Sequence, residues 1–253
     1  MQWLGSDDGT LLPVLVLVAA VAAWTWRAPR DGPGGGRRLA RLALPAVLLA
    51  TFAGPLEWLA EERLMAAHMV QHLLLVSAIP ALLFAVAPTP LLERIETAGP
   101  TRWLAGPAAA PLAAVLGVGA VWAAHVPAVL GGALENPPLT DLGHLALIAV
   151  GVVLLWPLLG PSRLTGLRAL GYLAVTDLLI GVLGLWLAWY PEVVYPFYAE
   201  GPGALGIDPP NDQALAGGIL LVVAEPFLAV EVVLLFFRAL DDAEAADADA
   251  DEA

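Results

Sequence analysis

The chain has 253 residues, of which 59% are hydrophobic and 14% are charged, and its mean hydropathy is +0.78. A soluble domain of this length carries about 25% charged residues, so the composition indicates an integral membrane protein. Cysteine is absent, which excludes disulfides, CxxC copper relays, zinc ribbons and cysteine nucleophiles, and the net charge of −13 argues against nucleic-acid binding.

Seven apolar segments are long enough to cross about 30 Å of hydrocarbon at roughly 1.5 Å per residue. The first lacks a basic n-region, and Trp24, Trp26 and Arg27 follow it where a signal peptide needs a small-residue cleavage site, so we expect it to be retained. Residues 239–253 are rich in acid and are predicted to be a disordered cytoplasmic tail. We therefore predict an all-α, seven-transmembrane-helix membrane domain over residues 1–238, with spans at approximately 10–27, 39–58, 64–87, 108–130, 141–160, 168–190 and 213–238.

The distribution of the arginines predicts how this bundle is oriented in the membrane. Ten of the eleven fall in loops or span ends on one side, and only Arg63 falls on the other. Positive charge marks the cytoplasmic side of a membrane protein. We therefore predict a multi-pass plasma-membrane protein with its N-terminus outside and its C-terminus in the cytoplasm.

On this topology all four histidines lie in the outer half of the bundle. His68 and His72 are one and two turns into the third span, and His125 is about a turn and a half below the outer end of the fourth. His144 is in the first turn of the fifth span. Buried imidazoles at one depth relieve their cost by sharing a cation, so we predict a metal site at His68, His72, His125 and His144.

Other polar groups lie near the same membrane face. Met65 and Met69 share a helical face with His68 and His72, and thioether with imidazole suits copper, although such methionines are equally typical of packing. Asp212 is a further possible ligand and would suit zinc; together with Gln213 it is equally typical of a helix N-terminus. We expect Gln71, Gln213, Asp141 and Glu57 to orient the ligands.

Three acids lie deeper in the predicted bundle, at Asp177 in the sixth span and at Glu225 and Glu231 in the seventh. No arginine lies deep enough to pair with them. Proton or ion conduction is one interpretation. Adhesion between helices is favoured, because small residues such as Gly181 and Gly217 lie nearby.

The run His68-Met-Val-Gln-His72-Leu-Leu-Leu resembles the hallmark of the multi-span CtaG family of cytochrome c oxidase assembly proteins. Further similarities follow in order through spans 4 to 7: His125-Val-Pro127, His144 leading to Leu155-Trp-Pro-Leu-Leu159, Tyr195-Pro-Phe-Tyr198 and Asp212-Gln-Ala-Leu-Ala-Gly-Gly218. The resemblance implies a seven-helix inner-membrane protein that helps to supply copper to the binuclear centre of the oxidase. Its expected partners are the lipid bilayer and either oxidase subunit II or another copper chaperone.

Two departures from the family pattern bear on the site. Ala124 stands where the family often has an aromatic residue, and Thr140-Asp141 stands where it often has another histidine. If that histidine were a ligand, the site would be poorer here or would use Asp141.

Two alternatives stand beside the assembly factor, which itself would not be an enzyme. A zinc-dependent intramembrane hydrolase would use about three of these ligands, an open position for water and a base from Asp212, Glu57 or Asp141. A heme-binding membrane protein would use one histidine of the third span with His125 or His144, because His68 and His72 lie on one side of any porphyrin.

Overall fold

The computed structural model describes residues 11–27, 35–61, 64–199 and 204–222, which form helices and no strand. Four segments within these ranges are long and apolar enough to span a membrane, namely Arg37–Ala60, Met65–Val86, Pro137–Leu159 and Gly166–Trp189. A fifth results if Gly99–Ala105 and Ala109–Ala124, which meet at 109°, count as one broken span. An all-helical protein with several apolar helices is therefore confirmed. The end of the predicted seventh span, with Glu225, Glu231 and the tail 239–253, lies outside the described residues.

The helices are α1 (Leu11–Arg27), α2 (Gly35–Phe52), α3 (Pro55–Glu61), α4 (Met65–Leu73), α5 (Ile79–Val86), α6 (Thr89–Thr97), α7 (Ala109–Ala124), α8 (Pro127–Leu134), α9 (Pro137–Leu159), α10 (Gly166–Trp189), α11 (Pro196–Ala199) and α12 (Pro209–Val222). A π-helical segment, Leu74–Ala78, joins α4 to α5, and 3₁₀ turns occupy Gly99–Ala105 and Ala204–Gly206.

The predicted span 108–130 is interrupted, because α7 ends at Ala124. Val126 is extended, at φ −59° and ψ 128°, and α8 starts at Pro127. A proline has no N–H to continue the helical ladder, and it disfavours helical backbone in the residue before it. His125 therefore caps the C-terminus of α7 instead of lying within a helix.

The fifth predicted span begins earlier than expected. We predicted a start at residue 141, whereas α9 begins at Pro137 with Asn136 as its N-cap residue. Prolines at the first helical positions fit because their fixed φ is helical and their missing N–H would have no partner there. His144 consequently lies about two turns into α9 and not in its first turn.

A close helix contact brings α9 against the π-helical segment. A Cβ atom at Gly151 would clash with the Val76 carbonyl oxygen and lie 2.6 Å from Cγ of Pro80, so only glycine allows this approach. Gly151 lies seven residues after His144, and Val76 lies four residues after His72. Because seven and four residues are close to whole helical turns, this contact directs His144 and His72 toward each other.

Helix α12 packs equally closely on α10. A Cβ atom at Gly217 would clash with the backbone of Gly184 and Ala188. Small residues at a membrane helix crossing let backbones approach in this way. The crossing places the start of α12 beside the start of α4, where Met65, Met69, Leu187, Ala216 and Leu220 share one buried cluster.

Candidate metal centre

Three histidines converge between α4 and α9. His68 and His72 lie one turn apart on α4, and His144 comes from α9. Each offers a ring nitrogen within 4.8 Å of the nitrogens of the other two. Their side chains are 3–5% exposed, so water does not solvate them freely. We call His68, His72 and His144 the histidine trio.

Two nitrogens of the trio lack any hydrogen-bond partner among the described residues. They are Nε2 of His68 and Nε2 of His144, and both atoms are buried. A buried polar atom without a partner costs about 1–3 kcal/mol, so native proteins rarely leave one. A bound cation would satisfy both atoms at once.

His125 has a different role from the trio. Its Nδ1 lies 2.7 Å from the Val121 carbonyl oxygen, and its Nε2 lies 3.3 Å from Nδ1 of His72. Because a carbonyl oxygen only accepts, Nδ1 of His125 carries the hydrogen, and in a neutral ring Nε2 then accepts from His72. That arrangement holds His72 with Nδ1 protonated and leaves its Nε2 lone pair for a metal.

Tyr195, a member of the motif Tyr195–Tyr198, fixes the position of His125. The Tyr195 hydroxyl donates to the His125 carbonyl oxygen at 2.8 Å, and Tyr195 is fully buried. Tyr198 follows one turn later, with its ring centroid 6.3 Å from that of His68, and burial raises the pKa of its phenol. The signal available from sequence was the aromatic motif at residues 195–198, which carries no information about its contacts.

Asp212 serves as a cap for a helix other than its own. Its two carboxylate oxygens accept the backbone N–H groups of Met65 at 2.6 Å and Ala66 at 2.9 Å. These are the first groups of α4, whose N-cap residue Leu64 provides no side-chain hydrogen bond. The carboxylate thus stabilises the start of the helix that carries His68 and His72, by charge as well as by hydrogen bonds.

Gln213 anchors the outer loop that leads to Tyr195. Its Oε1 accepts from the Val194 N–H at 2.7 Å, and its Nε2 donates to the carbonyl oxygens of Tyr190 at 3.3 Å and Glu192 at 2.9 Å. All of its polar atoms are therefore engaged with the loop backbone. Gln213 supports the site through Tyr195 and does not contact the trio through these bonds.

The remaining predicted residues surround the trio. Gln71 is buried, and its Nε2 donates to the Thr51 carbonyl oxygen at 2.9 Å and to the Glu57 carboxylate, which ties α4 to α2 and α3. Asp141 lies three residues before His144 on α9 and is exposed.

Met65 and Met69 are fully buried in the cluster that α4 forms with α12, Tyr195 and Tyr198. Their packing places them beside the trio as apolar neighbours.

The donor set fits a metal ion. Zinc and similar ions bind imidazole nitrogen at about 2.0–2.1 Å, so three ligands around one ion lie about 3.5 Å from one another. The trio nitrogens lie within 4.8 Å of one another and would move closer together on binding one ion. His125 supplies the outer hydrogen bond that metal-binding histidines typically make through their other ring nitrogen. All three ligands are neutral, which leaves the charge of the ion uncompensated.

The family model described as cytochrome c oxidase caa3 assembly factor (Caa3_CtaG) matches residues 15–242, a range that holds the trio, His125, Tyr195 and Asp212. No curated protein and no solved structure matches the chain significantly. The match confirms the resemblance that the histidine run of α4 predicted. The chain is thus a member of the cytochrome c oxidase caa3 assembly factor family.

Proposed function

We propose that this protein binds copper as its cargo at His68, His72 and His144 and aids delivery of that copper to the oxidase copper centre. Two observations carry the proposal: the three histidines each offer a ring nitrogen within 4.8 Å of the other two, and the buried Nε2 atoms of His68 and His144 have no hydrogen-bond partner among the described residues. An assembly factor for a heme-copper oxidase has a direct use for such a site. Delivery requires that the ion be exchangeable, which three neutral ligands favour over a closed cage of charged ones.

The charge of the site supports copper(I) over zinc or copper(II). Three neutral imidazoles leave a monovalent complex for Cu(I) and a divalent complex for Zn²⁺. The cost of burying an ion in a low-dielectric interior rises with the square of its charge, so a divalent complex needs a carboxylate that the trio lacks. Asp212 is held by two backbone N–H groups and cannot supply that charge without releasing the start of α4.

We also propose seven spans, with the N-terminus outside and the C-terminus in the cytoplasm of a plasma-membrane protein. The four or five spans among the described residues supply most of that number, and α1 with the helix that begins at Pro209 would complete it. The arginine distribution then puts the trio at the outer face. Oxidase subunit II, whose copper centre faces outward, is the expected acceptor, either directly or through another copper chaperone.

The two alternatives find less support in the contacts. A zinc hydrolase needs a carboxylate base beside the metal-bound water. Of the three predicted bases, Asp212 accepts two backbone N–H groups and Glu57 accepts from Gln71, which leaves the exposed Asp141 for that role. A bis-histidine heme needs its two imidazoles on opposite faces of a porphyrin. When His144 is paired with His68 or with His72, at ring-centroid separations of 5.7 and 5.9 Å, the other α4 imidazole lies 4.3 Å from the paired one and stands beside the gap that the porphyrin would have to fill.

The proposal is tested by complementation of a strain that lacks this protein. Wild-type protein should restore copper in the purified oxidase, and the double variant His68→Ala, His72→Ala should not, at equal membrane abundance. Trp122→Phe is a suitable control, because Trp122 hydrogen-bonds to α10 through the Leu179 carbonyl oxygen and lies outside the trio. Full restoration of oxidase copper by the double variant would overturn the proposal.

A further inference from the structure

His72 lines two cavities. One, of about 110 Å³, extends from His72 and His125 toward Asp177. A larger cavity of about 380 Å³ lies between α8 and α9, and reaches His68, His72 and His144. We call the larger one the α8–α9 groove.

The α8–α9 groove opens at the surface of the protein. Among its lining residues, Val129 is 54% exposed, Leu139 is 49% exposed and Leu142 is 61% exposed. Its floor is the trio, whose members are 3–5% exposed. The groove therefore connects the surface with the candidate metal centre.

The groove offers an incoming molecule almost no polar partner. No lining residue is an acid, a lysine or an arginine, and the Thr140 hydroxyl already donates to the Ala133 carbonyl oxygen at 2.7 Å. At the floor of the groove, the Nε2 atoms of His68 and His144 are buried and have no hydrogen-bond partner among the described residues. A charged group, or one with an N–H or O–H to satisfy, would pay a desolvation cost of several kcal/mol there.

Small residues make room along the walls. Gly132 and Ala128 on α8 and Gly143 and Ala146 on α9 line the groove. A Cβ atom at Gly132 or at Gly143 would meet nothing within 4 Å. Small residues on membrane helices allow another helix to come close. The walls therefore suit an apolar segment from within the bilayer better than a soluble ligand.

We propose that the α8–α9 groove receives an apolar membrane segment of the copper acceptor, and that a methionine on this segment takes Cu(I) from the trio. This inference rests on the proposed function. A thioether is neutral, has no hydrogen to satisfy and binds soft metals, whereas thiolate and carboxylate carry charge and imidazole carries an N–H. The Cu–S bond forms as Cu–N bonds break; the oxidation state stays the same and no proton moves.

The first test measures transfer in lipid nanodiscs. The donor is Cu(I)-loaded protein, and the acceptor is an apolar transmembrane peptide with one central methionine or with norleucine instead. We expect transfer to the methionine peptide only, and we expect Gly132→Leu to slow it at least tenfold. Gly131→Leu is the matched control. Gly131 directly precedes Gly132 on α8, does not line the groove and has nothing within 4 Å of an added Cβ.

The outcomes of this test separate the two proposals. If the wild-type protein binds no copper, the proposed function fails before transfer is measured. If it binds copper but transfer is equally fast in Gly132→Leu and Gly131→Leu, the groove is not the route and the further inference is overturned. Equal transfer to the methionine and norleucine peptides would also overturn it.

The second test needs no metal. The chain has no cysteine, so Gly132→Cys and Gly131→Cys each carry a single thiol. The same peptide, with an activated pyridyl disulfide on a cysteine in place of methionine, exchanges with that thiol when the segment lies in the groove. We expect at least tenfold faster trapping at residue 132 than at residue 131. Equal trapping at both positions, as expected if lipid fills the groove, would overturn the proposal.

Discussion

His72 and His125 show how one residue type takes two roles in a single site. The Val121 carbonyl oxygen fixes the hydrogen on Nδ1 of His125, and the 3.3 Å contact then fixes the hydrogen on Nδ1 of His72. Tyr195 holds the backbone of His125 by a further hydrogen bond. The chain Val121, His125, His72 therefore orients one ligand of the trio without adding a ligand of its own.

Replacing His125 by alanine tests whether His125 orients a ligand or is itself a ligand. We expect His125→Ala to weaken Cu(I) binding about 10–100-fold, the usual effect of losing an outer partner, while the number of nitrogen ligands stays the same. His144→Ala should instead remove one nitrogen. Competition with a chromogenic chelator gives the affinity, and X-ray absorption gives the ligand number. Loss of a nitrogen ligand in His125→Ala would make His125 a direct ligand.

We expect Asp212 to contribute to the stability of the fold and not to the copper stoichiometry. Asp212→Ala removes the acceptor of two N–H groups at the start of α4 and should lower the free energy of unfolding by about 1–2 kcal/mol. Copper stoichiometry should be unchanged in the fraction that stays folded. Thermal unfolding of the metal-free protein measures the first effect, with Glu192→Ala, at an exposed acid of the loop before α11, as the control.

An Asp212→Ala variant that keeps its stability but loses copper would contradict the capping role and restore Asp212 as a ligand.

The residue types of the site were predictable from the sequence, but the separate roles of His125 and the trio were not. The four histidines and their common neighbourhood follow from the sequence, because buried imidazoles need partners. The distinction between His125 and the trio depends on contacts between residues 53 apart in the chain, and no local pattern encodes them. Asp212 was recognisable as an N-terminal acid, but the helix that it caps begins 147 residues earlier.

At the scale of elements, the site depends on how closely α9 approaches the π-helical segment. Pro80 lies just after this segment, where a regular helix would need its missing N–H and would set its ring against the carbonyl of residue 76. Gly151 leaves space for the Val76 carbonyl oxygen and the Pro80 ring. The trio therefore depends on a glycine and a proline that bear no ligand.

Gly151→Val should separate α9 from α4. Because the added side chain meets backbone and a proline ring, neither of which can rotate away, we expect a loss of stability of about 1–3 kcal/mol and a copper affinity reduced at least tenfold. Gly119→Val is the control, because a Cβ atom there meets nothing within 4 Å. Thermal unfolding and copper titration measure both effects. Unchanged copper affinity in Gly151→Val would show that the trio does not need this contact.

Some of the elements were predictable in detail and others were not. The break at His125 could have been read from Pro127, and the early start of α9 from Pro137 and Pro138. Apolar periodicity runs through all of these positions, however, and it outweighed the prolines in our prediction of the spans. Pro80 is the one sequence signal for the π-helical segment in its apolar run, and the rest of its register depends on the packing of α9.

At the scale of the whole molecule, the side of the membrane that the trio faces decides which partner it serves. The arginine loops predict that the turn after α6 is cytoplasmic and that the turn between α8 and α9 is outside. Composition and charge patterning give this orientation because they report on the bilayer, not on tertiary contacts. Composition and charge patterning do not predict which helices pack against each other, because the apolar faces of the helices have similar sequences.

Single cysteines test the orientation directly. Thr97→Cys and Asn136→Cys each place one thiol at an exposed position of an otherwise cysteine-free chain. In intact cells a membrane-impermeant maleimide should label Asn136→Cys and should label Thr97→Cys only after the membrane is opened. The reverse pattern would put the trio on the cytoplasmic side and remove the outward-facing oxidase centre as its direct acceptor.

Copper binding by the trio is tested by the metal content of the purified protein, measured by elemental mass spectrometry beside the double variant His68→Ala, His72→Ala. We expect about one copper per wild-type chain and none in the variant, with an optical spectrum free of heme bands. Zinc in place of copper would contradict the account and favour the hydrolase. No metal in either protein, at equal stability, would leave the trio as packing and contradict it altogether.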